Sequence, residues 1–114
     1  MLPRHLRLKS PRDFEALRRE GKRWRGVRLA LNAGPNSLPH NRFGFVVSGR
    51  VGNAVARNKV RRRLRAAARR WLPAVIPGYD IVIIAFPPSA DASYRELEDE
   101  LGLLLRRANL LDRT

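Results

Sequence analysis

Apolar and polar positions along this chain follow two rhythms, and each change of rhythm marks a new element. Phe14 and Leu17, three apart, give a short apolar face. Ser10 and Pro11 before them suit a helix start, Asp13 suits the positive end of its dipole, and Gly21 suits a stop, so a helix is predicted over 11–20. Val27 to Asn32 reads as an imperfectly alternating strand ended by Gly34-Pro35-Asn36, with room for one further short strand near 23–28. The turn formers of 34–41 read as a hairpin loop. Arg42 to Ser48, aromatic and β-branched, reads as the next strand, and Gly44 inside it predicts a bulge or the close approach of another backbone.

After the turn Gly49-Arg50-Val51-Gly52, Asn53 suits the cap of a long helix that Pro73 ends after Leu72. Val60, Leu64, Ala67, Ala68 and Trp71 fall on one side of it as a buried stripe. Tyr79 to Phe86 is a nearly continuous apolar run, the pattern of a strand covered on both faces. Pro87-Pro88 ends it, and 89–93 is a loop or cap. Leu97, Leu101, Leu104 and Leu105 then mark a last amphipathic helix over about 92–108, with Glu96, Glu98, Asp99 and Glu100 as its solvated start. The order is α-β-β-β-α-β-α, with the long middle helix joining two parallel strands. Neither a repeat nor a linker divides the chain, and 1–114 reads as a single domain.

Charge changes the picture from fold to partner. The chain has 24 basic and 10 acidic residues, a formal net charge of +14. Positions 21–79 hold fourteen bases and no acid, whereas 1–20 balance at +3 and 80–114 at −3. A surface built for solubility alone would intersperse the signs. Of the bases 21 are arginine, whose planar fork grips phosphate and stacks on bases. Along the middle helix Arg57, Arg61, Arg65 and Arg69 step by four beside the apolar stripe. Arg62 sits beyond them, and Lys59, Arg63 and Arg70 cover the far side. The run lacks compensating acids, Arg57 and Asn58 stand in the first turn where backbone N–H groups favour phosphate, and Asn58 is a poor helix former without a capping role. This is the pattern of a phosphate-backbone surface.

Catalytic constellations are missing from the sequence. It has no cysteine, which excludes a thiolate nucleophile or metal site and suits a reducing, cytoplasmic setting. His5 and His40 are lone histidines in polar stretches, read as surface residues. The basic stretch holds no carboxylates to place Mg²⁺ beside a phosphate, so hydrolysis would have to borrow its metal site. The start Met1-Leu2-Pro3-Arg4-His5 does not read as a signal peptide, and no apolar run reaches membrane-spanning length.

The segment from Arg42 to Arg65, RFGFVVSGRVGNAVARNKVRRRLR, resembles the signature of the protein subunit of bacterial ribonuclease P. Arg7-Leu8-Lys9, Asp13-Phe14 and Gly21 match the opening of that family, Gly78 to Ala85 its last core strand, and the Leu-rich end its last helix. The resemblance implies an α+β sandwich: a small mixed sheet of about four strands flanked by three helices, with a left-handed β-α-β crossover. It implies a partner, a catalytic RNA that holds most of the Mg²⁺ and performs the chemistry, and a substrate, precursor tRNA, whose 5′ leader is removed. The protein would then have no catalytic or metal-ligating residue of its own, no membrane and no obligate protein partner. Arg57, Asn58, Lys59, Arg61, Arg62 and Arg65 would face the catalytic RNA, extended by Arg50 and Asn53 before them and Arg69 after. A cleft between the sheet and the first helix would take the leader, with Phe14, Arg18, Asn32 and Ser48 in it. Arg18 and Asn32 stand where the family often has aromatics, and Phe86 where it has a basic residue, so the resemblance implies less stacking and one contact fewer. A structural RNA binder such as a ribosomal protein, a DNA-binding module using the middle helix, and a protein-only nuclease are the other readings of the same charge.

Overall fold

A computed structural model describes residues 7, 8 and 10–112; the readings made on Met1 to His5 and on Lys9 lie outside them. Strands β1 (Lys22–Arg25), β2 (Leu29–Pro35), β3 (Arg42–Val47) and β4 (Tyr79–Ala85) form one sheet in the order β1-β2-β4-β3. Helices α1 (Pro11–Glu20), α2 (Ala54–Trp71) and α3 (Tyr94–Arg107) complete the predicted order. β1 and β4 each pair antiparallel with β2, and β3 pairs parallel with β4, so the sheet is mixed and α2 is the crossover between parallel neighbours.

The most continuously apolar strand takes the centre. Ile81, Val82 and Ile83 are buried, as a strand covered on both faces requires. This corrects the hairpin reading of 34–41. β2 and β3 follow one another in sequence but are separated by β4, and the intervening loop crosses the end of that strand. Two asparagines hold the loop. Asn36 Nδ2 donates to His40 O (3.1 Å) and to Asp80 Oδ1 (3.0 Å). Buried Asn41 donates to Ile76 O (2.9 Å) and accepts from Tyr79 N (2.8 Å). β2 also differs from its expected span. It starts at Leu29 and runs through Gly34 and Pro35, leaving Val27 in the turn and 74% exposed. The shift has a cause in α3, where Glu100 accepts the backbone N–H groups of Arg28 (2.8 Å) and Leu29 (2.7 Å). Glu100 is therefore not part of a solvated helix start; its side chain is 9% exposed.

α2 and α3 close one face of the sheet. Val60, Leu64, Ala67 and Ala68 of α2 and Leu97, Leu101, Leu104 and Leu105 of α3 pack against Leu29, Leu31, Phe43, Ile81 and Ile83. The Trp71 indole N–H donates to Glu98 O (2.9 Å), and its ring fills the space that Gly102 leaves; a Cβ there would overlap the ring. α3 starts with a capping box: Ser93 Oγ accepts from Glu96 N (3.1 Å) and Glu96 Oε1 from Ser93 N (2.9 Å). The bond to the Ser93 backbone, with Arg28 nearby, holds the Glu96 carboxyl below its ordinary range.

α1 packs on the opposite face through Leu17, which clusters with Leu8 and Val82, with Phe14 and Ile84 at the margin. The hydroxyl of Ser10 makes no capping bond; its carbonyl accepts from Phe14 N (3.1 Å) instead. The helix ends at Gly21, which is extended (φ −78°, ψ 168°) and not left-handed as a glycine stop would be; glycine is required there for lack of room, since a Cβ would lie 2.6 Å from Leu17 O and 2.7 Å from Asn32 Oδ1. Arg42 ties the helix to the sheet. Its Nε and Nη2 donate to Asp80 Oδ1 (2.9 Å) and Oδ2 (2.8 Å), and its Nη1 to Asp13 Oδ2 (3.2 Å). The Asp80 bonds raise the Arg42 pKa above its ordinary value despite some burial. α1 covers only part of its face: Val46 stays 42% exposed. One side of the sheet is closed, and the other is half open.

Candidate nucleic-acid interface

The cationic surface begins where β3 ends. Ser48 Oγ accepts from Arg50 N (3.2 Å), and a short 3-10 turn, Gly49–Val51, leads into α2. Gly52 has φ +154°, which excludes a side chain without strain, and a Cβ there would also crowd Ala56. Asn53 Oδ1 then accepts from Ala56 N (2.9 Å), so this predicted RNA contact is first a helix cap. Asn58, which has no capping role, accepts from Arg61 Nη1 (2.9 Å) through Oδ1 and steers that guanidinium. Arg50, Lys59, Arg62, Arg65 and Arg69 are exposed, and Arg57 and Arg61 are half-buried. The ion pairs among the described residues use Arg18, Arg28 and Arg42; none uses a cation of α2. Fixed positive charge is thus left facing solvent, the condition for counterion release on binding a polyanion. Arg63 differs from its neighbours. Its Nη1 donates to Ala92 O (2.7 Å), which anchors the segment before α3.

The second part of the surface lies on the half-open face. Phe14, Arg18 and Asn32 come together in one groove with Arg23, Val46, Val82 and Ile84. Asn32 is buried, and among the described residues its Oδ1 has no hydrogen-bond partner. Arg18 pairs with Glu15 (3.3 Å) at the exposed rim. Ser48 stands at the end of β3 and is not in the groove lining. Phe14 is at once a packing contact and part of the groove lining. Its ring closes over Gly44, where a Cβ would lie 2.6 Å from its Cζ, while its outer side lines the groove. Gly44 therefore marks the approach of a side chain; the β3–β4 register runs through it without a bulge.

The two parts meet. A depression at the β3 edge is lined by Arg7, Leu8, Phe14, Phe43, Gly44 and Phe45, and by Arg61 and Arg65 of α2. Cations of the helix and the aromatic of the groove thus border one continuous path around the edge of the sheet.

Sequence reasoning missed Arg23 and Arg7 in these linings. The signal for Arg23 was present: in Lys22-Arg23-Trp24-Arg25, Trp24 packs on the core, so period two sends Arg23 and Arg25 to the half-open face. Metal ligation finds no support in the donor set. Among the described residues no three His, Asp or Glu side chains come together, Asp13 and Asp80 are engaged by Arg42, and Glu15 by Arg18.

A family model described as Ribonuclease P matches residues 2–109. The chain is 44% identical over 109 residues to the ribonuclease P protein component of Chloroflexus aurantiacus, covering 95% of this chain and 81% of that one. It is 40% identical over 111 residues to that of a Roseiflexus species, covering 96% and 91%. Among solved structures it resembles the RNase P protein of Staphylococcus aureus (TM-score 0.86, 27% identity, 94% of this chain and 98% of that one). It likewise resembles that of Thermotoga maritima (TM-score 0.81, 30% identity, 89% and 96%).

Proposed function

The chain belongs to the ribonuclease P protein family, and from that membership we infer which of its surfaces meet RNA. It is the protein component of the ribonucleoprotein that matures the 5′ end of tRNA, with the RNA subunit and precursor tRNA as its partners. Membership decides among the readings of the charge: the ribosomal, DNA-binding and protein-only alternatives are set aside. In our reading one domain, residues 1–114, does this work in the cytoplasm. Among the described residues no helix is long and apolar enough to cross a membrane.

The surface of α2 from Arg57 to Arg69, with Arg50 and Asn53 at its start, takes phosphates of the RNA subunit. The groove of Phe14, Arg18 and Asn32, with Ser48 beyond its end, takes the single-stranded leader. Phe14 offers a face for a base, and Arg18 and Arg23 offer charge beside it. The single observation behind this assignment is that Arg61, Arg65 and Phe14 border the same depression. The protein lowers the repulsion between two RNAs as they approach and holds the leader; bond cleavage belongs to the RNA subunit. Mg²⁺, the expected metal, is assigned to RNA, because the acids beside the groove are committed to arginines and do not fit a cation site. The test is reconstitution of the protein with its host's RNA subunit and a precursor tRNA at low Mg²⁺. The 5′-processed product should appear only with both subunits; product from the protein alone would refute the reading.

The groove also makes a separate prediction through Gly44. In Gly44→Ala the new methyl displaces the Phe14 ring, a flexible side-chain end, at a stability cost of about 1–2 kcal/mol. Holoenzyme affinity for a long-leader precursor should then fall several-fold, while affinity for mature tRNA holds. Binding titrations with the two ligands distinguish this from a general loss.

A further inference from the structure

Beyond the part of the sheet that Phe14 and Leu17 cover, the open face holds a second aromatic. The Arg25 guanidinium carbon lies 4.0 Å from the centroid of the Phe86 ring. The pair is assembled across three strands. Arg25 stands opposite Ala30, Ala30 opposite Ile84, and Phe86, two residues further, donates its backbone N–H to Arg28 O (2.9 Å). Buried Ala30 is small enough to let the Arg25 side chain cross above β2. Trp24 is directed into the core, so Arg25 faces the same side of the sheet as Arg23 and the groove.

Arg25 is exposed, and among the described residues no carboxylate pairs with it. One face of its guanidinium rests on Phe86. Among the described residues its guanidinium N–H groups make no hydrogen bond or ion pair, and the residue as a whole is exposed. Stacking on the ring fixes the plane in advance, which reduces the ordering cost of binding. A guanidinium plane stacks on nucleobases, and its fork bonds phosphate. From Ile84, the last groove residue of β4, to Phe86 the chain advances roughly 7 Å.

We propose that Arg25 stacked on Phe86 is a second nucleotide platform for the precursor's single-stranded leader, beyond the groove of Phe14. A leader base lies on the open face of the guanidinium while the N–H groups reach the adjoining phosphate. The proposal rests on the leader-groove reading above, and its test separates the two.

Holoenzyme assembled from the full chain and its RNA subunit is titrated with precursors whose leader is lengthened one nucleotide at a time. Affinity should rise in two steps. Arg25→Ala should abolish the later step, a loss of about five- to tenfold confined to the longer leaders. Phe86→Leu, which keeps apolar volume but removes the ring, should do the same. Arg25→Lys keeps the charge without the plane; it should retain the salt dependence of binding and still lack the later step. If Arg25→Ala changes nothing while Phe14→Ala removes the earlier step, the platform is refuted and the groove stands. If neither variant alters the dependence on leader length, both fall. If Arg25→Ala weakens binding of the RNA subunit equally at every leader length, the platform serves that RNA and the proposal is overturned.

Discussion

Replacing Arg57, Arg61 and Arg65 together by alanine is expected to weaken binding of the RNA subunit by two to three orders of magnitude, at about 1–1.5 kcal/mol for each lost charge-assisted contact. Among the described residues none of the three has a carboxylate partner, so removal leaves no orphaned charge behind. The fold should survive, because the buried stripe of Val60, Leu64, Ala67 and Ala68 is untouched and alanine favours the helix. Two signatures mark the loss as electrostatic. The slope of log affinity against log salt should flatten by roughly 2–3, since each phosphate contact contributes about 0.7–0.9. The Mg²⁺ needed for precursor cleavage should rise, because divalent ions must then screen what the guanidinium groups had neutralised. Arg63→Ala provides the contrast: its bond to Ala92 O is internal, so its effect should appear in thermal unfolding and little in the salt slope. An unaltered salt slope and Mg²⁺ requirement in the triple variant would mean that this face of α2 does not meet RNA.

Most of the architecture was legible wherever a segment's own pattern decided its place. α2 has a cap, a stripe and a proline stop, all local, and it folds as read. The central position of β4 follows from its unbroken apolar run. What failed were features decided by partners distant in sequence. The loop after β2 has the composition of a hairpin turn, but a strand almost forty residues later takes the place beside β2. The start of β2 is set by a carboxylate about seventy residues away. Gly44 and Gly102 look like flaws in a strand and a helix until Phe14 and Trp71 are seen filling the space. The site divides in the same way. The α2 cations could be identified from helical periodicity and the absence of acids. The Arg25–Phe86 stack could not, because it needs the sheet order β1-β2-β4 to bring two unrelated segments together.

Glu100 offers the largest expected change in stability. Among the described residues its carboxylate accepts three hydrogen bonds: two from the backbone N–H groups of Arg28 and Leu29 and one from Arg28 Nη1 (3.1 Å). Leu29 is fully buried and opens β2, so in Glu100→Ala these donors lose their acceptor where water has little access. Leaving such groups unpaired costs about 3–4 kcal/mol in total. For a chain of this size that lowers Tm by roughly 10–20 °C. Asp99→Ala, one position earlier and exposed, should change stability by less than about 0.5 kcal/mol. Calorimetry on the two variants is decisive, and equal values would mean that the β1–β2 turn holds without α3. Gly26 adds a second arm, because a Cβ there would collide with Glu100 Oε2. Gly26→Ala should therefore destabilise by displacing the same carboxylate, and in the double variant with Glu100→Ala the two losses should fall well short of their sum, since one anchor cannot be removed twice.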